Sequence, residues 1–154
     1  MGSNPPADWN QYFTGGSPGY IEIDGSKTKS NQIVGQVVYR YGRTSNLDAG
    51  AITAKPTYVT FTGDDCGSPG YTCRSYNVIE VGVASAHGDS GSGFYRVQSN
   101  GYGGYTRNAY GILSGGKTGY AYTYYYAWDE PFYAGVFKTD RRTVYPCIST
   151  SCPL

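Results

Sequence analysis

Ser90 stands in the run Ala86-His87-Gly88-Asp89-Ser90-Gly91-Ser92-Gly93. A serine hydroxyl in such a setting could attack a carbonyl carbon. It does so only with a base beside it and with donors waiting for the oxyanion. Glycine at 88 suits a sharp turn and keeps side-chain bulk away from an approaching substrate. Gly, Asp and Ser are also the commonest turn formers, so the four residues 88–91 read first as a plain turn. The rest of the chain has to decide.

The elements that would position this serine are strands. The 154 residues fit one domain able to bury its own core. Glycine (23) and tyrosine (18) are abundant, which suits short strands and tight turns rather than helices. β-type segments are predicted over 20–23, 33–40, 51–62, 77–83, 92–97, 108–114 and 121–128. Turn formers such as Asp24-Gly25, Ser99-Asn100-Gly101 and Gly115-Gly116 separate them. Many short strands with turns between them indicate a sandwich or barrel. Residues 1–19, rich in Pro, Gly, Asn and Ser, read as a linker or N-terminal arm, and 20–154 as the domain.

Charge argues against several partners. Twelve Lys and Arg against eleven Asp and Glu leave a net charge of +1, which does not favour nucleic acid. No apolar run approaches the roughly 20 residues of a membrane span. No secretory apolar core stands near the N-terminus, so a signal peptide is expected outside these residues. The four cysteines form two close pairs, Cys66/Cys73 and Cys147/Cys152, each around turn residues, and two local disulfides are expected. Neither pair has Cys-x-x-Cys spacing and His87 is the only histidine, so no zinc site or other metal is expected. Paired cysteines imply an extracellular protein.

Two further patterns are weighed and set aside. The run from Gly111 to Thr118 fits Gly-x-x-x-x-Gly-Lys-Thr, but a phosphate cradle needs a helix starting at Lys117. A tyrosine-rich strand follows instead, so no nucleotide or other cofactor is expected. Asp24, Asp48, Asp64 and Asp65 lie in turn-like stretches and read as solvated turn formers. Tyr120, Tyr122, Tyr124, Tyr126 and Trp128 share one strand parity. Their face would pack the barrel or an interface, with a peptide- or sugar-stacking surface as the alternative.

Three segments then arrive together: Gly42-Arg43-Thr44-Ser45 with Gly50-Ala51-Ile52, the Gly88-Asp89-Ser90-Gly91 run, and Gly111-Ile112-Leu113-Ser114-Gly115-Gly116. In this order and spacing, over about residues 33–130, the chain resembles the chymotrypsin-like serine proteases. The likeness is to the second barrel of the bacterial branch that includes alpha-lytic protease and the streptogrisins. The resemblance implies a single six-stranded antiparallel Greek-key barrel. It implies Ser90 as nucleophile, the N–H groups of Gly88 and Ser90 as oxyanion hole, and Asp89 as a buried anchor paired with Arg43. Ser114, Gly115 and Gly116 would bind the substrate strand, with Ala84 and His87 beside them and His87 pointing outward at the rim. Departures are also plain: Tyr39, Ala49 and Ala86 stand where that branch has cysteines.

The family's catalytic histidine and aspartate lie on a first barrel, which has no counterpart in this sequence. The chain is therefore expected to be the nucleophile-bearing half of a secreted endopeptidase, inactive alone. A first-barrel chain or a homo-oligomer would complete it, with a peptide or protein as substrate. The alternative is a secreted, non-catalytic protease-like barrel that binds a peptide, protein or carbohydrate.

Overall fold

The computed structural model describes residues 11–13, 20–66, 69–117 and 120–127. Eleven strands appear in order: β1 (Gln11–Phe13), β2 (Tyr20–Glu22), β3 (Gly25–Ser26), β4 (Val37–Gly42), β5 (Asn46–Ala54), β6 (Tyr58–Thr62), β7 (Thr72–Tyr76), β8 (Ile79–Val81), β9 (Gly93–Ser99), β10 (Tyr105–Gly116) and β11 (Thr123–Ala127). Short 3-10 turns occupy Lys29–Asn31 and Gly63–Cys66.

Six of these strands close a barrel in the order β11-β8-β5-β4-β9-β10, with β10 returning to β11. Every pairing around this ring is antiparallel. The chain runs β4-β5-β8, returns to lay β9 beside β4, then closes through β10 and β11, a Greek key. Closure removes the sheet's open edges. Outside the ring, β3 adds two residues in parallel to β10, β1 pairs with β2, and β6 with β7.

Alternation fills the barrel. Val38, Ile52, Ile79, Val81, Phe94, Tyr110, Leu113 and Tyr125 form its buried interior. The rings of Phe94 and Tyr125 stack at 4.6 Å. Most polar groups there are paired, as burial favours, although Arg40 Nε and Thr123 Oγ1 have no hydrogen-bond partner among the described residues. Gln32, itself fully buried, donates to the carbonyls of Lys27 and Tyr110 and accepts from the Tyr125 hydroxyl at 2.6 Å.

The segment predicted over 51–62 divides into β5 and β6, broken at Lys55-Pro56-Thr57. β7, missed in the sequence, completes a hairpin whose Val59 and Phe61 pack with Val78 against Tyr124. Residues 33–36 form a turn, in which the Gln36 N–H donates to the Ile33 carbonyl. Cys66 and Cys73 are disulfide-bonded, with Cα atoms 5.8 Å apart. Cys147 and Cys152 lie outside the described residues. The aromatic row divides: Tyr124 is buried on the hairpin side, Tyr126 packs beside it, and Tyr120 and Tyr122 are exposed ahead of β11. Trp128 lies outside the described residues.

Glycine is required where β10 and β11 close the ring. A Cβ at Gly111 would collide with the Tyr126 carbonyl and the Tyr125 ring. Gly111→Ala should destabilise the barrel by about 3 kcal/mol, the upper end of overpacking costs. Urea unfolding monitored by circular dichroism checks this.

Candidate active site

The site is built at the end of β4. Along that strand Val38, Arg40 and Gly42 face inward and are buried, while their neighbours are less so. Arg40 is fully buried, and its Nη1 lies 3.2 Å from Oδ2 of the equally buried Asp89. Its Nη2 donates to the Ala84 carbonyl. The expected partner of Asp89 was Arg43, and this is corrected. Strand parity aims Arg40 into the barrel, whereas Arg43 falls past the strand end and is exposed in the turn.

The turn after β4 contributes to the same carboxylate by other groups. The N–H groups of Thr44 and Ser45 donate to Asp89 Oδ1 at 2.8 and 3.0 Å, and the Ser45 hydroxyl donates to Oδ2. From its own side, the Ala86 N–H donates to Oδ2 at 3.0 Å. Burial by itself would raise the Asp89 pKa. The bond from the Ser45 hydroxyl, then those from the N–H groups of Ala86, Ser45 and Thr44, outweigh it and hold the carboxyl well below its ordinary 3.8. Gly42 is needed here because a Cβ would strike the Asp89 carboxylate.

With Asp89 fixed, the following residues are thrown outward. Gly88 has φ +98°, a left-handed conformation that favours glycine, and a Cβ there would also lie 2.7 Å from Thr44 Oγ1. Ser90 is exposed. The N–H of Gly91 and the carbonyl of Ser92 tie the turn to Leu113 of β10. Among the described residues, the N–H groups of Gly88 and Ser90 donate to no protein acceptor, which leaves both for a ligand oxygen. The His87 side chain is exposed and makes no hydrogen bond to Ser90, while its carbonyl accepts from Thr44 Oγ1 at 2.7 Å.

Ser90, His87, Ser114, Gly115 and Gly116 line one cleft of about 380 Å³. Ser114 sits where the β10–β11 register shifts, and such a bulge re-aims a side chain. Its hydroxyl lies 3.4 Å from that of Ser75 on β7. Ala84 is not a lining residue, since its carbonyl is turned inward to Arg40. Sequence reasoning missed Ser85, Ala86, Leu113 and Lys117, and dismissed Asp65, which the 3-10 turn ending at Cys66 brings to the cleft wall. The Cys66 partner was the available signal: a disulfide that closes the hairpin also fixes what stands beside it.

The Arg40–Asp89 pair sets two expectations. Asp89→Ala and Arg40→Ala should each cost about 3–5 kcal/mol, because either leaves a buried charge alone. The double variant should cost clearly less than the sum, and Arg43→Ala should stay within about 0.5 kcal/mol. Chemical denaturation of the four variants measures this. Since the folded-state pKa of Asp89 is depressed, its contribution is complete above the unfolded value near 4 and is lost as pH falls below it. Thermal melts should therefore hold steady from pH 7 to about 5 and fall below pH 4. The acid slope should be shallower in Asp89→Asn.

No protein-family model matches the sequence, and no curated protein matches it. Solved structures do. A Nocardiopsis protease is 26% identical over 77% of this chain and 53% of its own, with a TM-score of 0.51. The chymotrypsin of Cellulomonas bogoriensis is 23% identical over 77% of this chain and 54% of its own, at 0.48. A glutamic acid-specific serine protease, described as using a histidine triad in substrate binding, is 26% identical over 70% and 48%, at 0.47. The chain thus spans about half the length of the solved structures it matches. The closed Greek key and the likeness to the Nocardiopsis protease show that this barrel has the fold of the chymotrypsin-like serine protease barrels.

Proposed function

We propose that this chain supplies the nucleophile, the oxyanion donors and the substrate-binding strand of an extracellular serine endopeptidase, with the triad's imidazole and carboxylate coming from a separate, first barrel. One observation carries the reading: an exposed Ser90 stands beside two uncommitted N–H groups on a turn that a buried carboxylate holds rigid. Preorganised donors of this kind are where acyl-transfer chemistry draws much of its rate.

In the reaction so assigned, Ser90 Oγ attacks the scissile carbonyl carbon as a base on the first barrel takes its proton. The carbonyl oxygen becomes an oxyanion held by the N–H groups of Gly88 and Ser90. Collapse breaks the C–N bond, the amine leaves with the proton from the base, and an acyl-Ser90 remains. Water, deprotonated by the same base, hydrolyses it and regenerates Ser90. The exposed His87 side chain makes no bond to Ser90 among the described residues, which supports a base from elsewhere. The Cys66–Cys73 disulfide supports an oxidising, extracellular setting. Among the described residues no helix is long and apolar enough to cross a membrane.

Fluorophosphonate labelling tests the proposal. The isolated chain should label at Ser90 no faster than an ordinary surface serine, because nothing activates the hydroxyl. The protein recovered from its own source, with whatever barrel accompanies it, should label stoichiometrically and lose the label in Ser90→Ala. Stoichiometric labelling of the isolated chain overturns the need for a first barrel. No labelling of either preparation favours a non-catalytic, peptide-binding barrel.

A further inference from the structure

Gly42, at one end of β4, meets the Asp89 carboxylate, and Val37 stands at the strand's other end. Near Val37 the sheet is incomplete. β4 and β9 are paired at Tyr39–Tyr95 and Arg40–Phe94, where the ladder stops, although β4 begins two residues earlier and β9 runs on to Ser99. A groove of about 520 Å³ lies beside this break, lined from both strands by Val37, Tyr39, Arg96 and Val97 and from the preceding turn by Ile33 and Val34. Ile33 is 60% and Val34 54% exposed, and Val37 is exposed with them. Their frame is nonetheless held in place. The Ile33 N–H donates to Gln36 Oε1 at 3.0 Å, the Gly35 N–H to the Ile52 carbonyl at 2.8 Å, and the Ile52 N–H to the Gln36 carbonyl at 2.9 Å. Arg96 is the one charged lining residue, and no carboxylate accompanies it. Its Nη1 is enclosed and has no hydrogen-bond partner, while the residue as a whole is only partly buried. An enclosed guanidinium N–H without an acceptor carries an uncompensated desolvation cost.

We propose that this groove docks an extended peptide segment of a partner protein, with a carboxylate side chain for Arg96 and aliphatic side chains flanking it for Ile33, Val34 and Val37. The end of a strand ladder is where an extended chain can lie alongside strand backbone while neighbouring residues read its side chains. Neighbouring exposed aliphatic residues on a hydrogen-bonded frame mark a contact surface. Charge complementarity selects the partner's chemistry. A neutral apolar segment would leave the Arg96 guanidinium unmatched, a basic one would be repelled, and a carboxylate gains a charge-assisted bond. The groove and the Ser90 turn meet opposite ends of β4, so docking here does not depend on the catalytic reading.

The probe is the blocked pentapeptide acetyl-Val-Leu-Glu-Val-Ile-amide, titrated into the full chain and followed by the amide NMR signals of Gly35, Val37 and Val97. These signals should shift saturably, while those of Gly88 and Ser90 stay in place. Glutamine in place of the peptide's glutamate should weaken binding at least tenfold. Arg96→Gln in the chain should cause a loss of the same size, and Arg96→Lys a smaller one. Ile33→Ser and Val34→Ser, both at exposed positions, should each weaken binding at least threefold. Dispersed amide spectra show that the variants are folded, and the glutamine peptide tests the charge requirement without altering the chain. No saturable shift, or equal affinity for the two peptides, overturns the proposal. Hexanoate binding as tightly as the peptide assigns the groove to a small carboxylate and overturns peptide docking. Concentration-dependent shifts of the same signals without peptide, with a dimer in sedimentation, give the groove to a second copy and also overturn it. Nuclear Overhauser contacts from the Val34 methyls to a distant segment of the same chain do so as well. None of these outcomes alters the Ser90 labelling result.

Discussion

A buried carboxylate with five donors is the constraint on which the site depends. Asp89 accepts from Arg40 Nη1, from the N–H groups of Thr44, Ser45 and Ala86, and from the Ser45 hydroxyl. A desolvated aspartate is tolerated only when its lone pairs are so used and its charge is matched. Meeting that demand joins the end of β4 to the Ser90 turn, segments more than forty positions apart in the chain. The guanidinium alone would leave the turn free to pivot. The backbone donors from both sides, Thr44, Ser45 and Ala86, hold the carboxylate and with it the backbone of residues 86–89, while the N–H groups of Gly88 and Ser90 donate to no acceptor among the described residues.

Glycines appear where this arrangement needs two backbones, or a backbone and a charge, in contact. Gly42 admits the Asp89 carboxylate, Gly88 takes the left-handed turn beneath Thr44, and Gly116 lies against Ser85. The β6–β7 hairpin is a different kind of addition. It is not part of the closed ring, yet Phe61 meets the Tyr124 ring edge-on at 5.7 Å, and its Ser75 hydroxyl reaches Ser114. The barrel makes the Ser90 turn and one wall, and the disulfide-closed hairpin brings Asp65 to the cleft from outside the ring.

The barrel class was legible in the sequence because closure of a Greek key needs little more than alternating strands with turns between them. Two of the three motif segments, those at Ser90 and Ser114, line one cleft, and the third, at 42–45, holds Asp89 behind it. Tyr39 and Ala49, read as standing where relatives carry paired cysteines, are direct cross-strand partners in β4 and β5, so the register behind the resemblance is the one observed. The arginine was misassigned for a physical reason. A short motif invites the reader to take its own arginine, yet which side chain enters a barrel is set by strand parity. Val38, Arg40 and Gly42 alternate inward, and reading that period would have selected Arg40. β7 was hidden because Thr72-Cys73-Arg74-Ser75-Tyr76 has no apolar alternation, being held mainly by its partner strand and the disulfide. The places of Ser85 and Asp65 at the cleft depend on approaches between segments distant in sequence, which local pattern does not encode.

The same turn separates Ser90 from the single histidine three residues before it. The geometry that frees the Gly88 and Ser90 N–H groups also directs His87 outward, with its carbonyl held by Thr44 and its imidazole in solvent. The donors on Asp89 and the Thr44 bond to the His87 carbonyl join this turn to the β4–β5 connection on its buried side, and the His87 and Ser90 side chains both stand on its exposed side, at the same cleft.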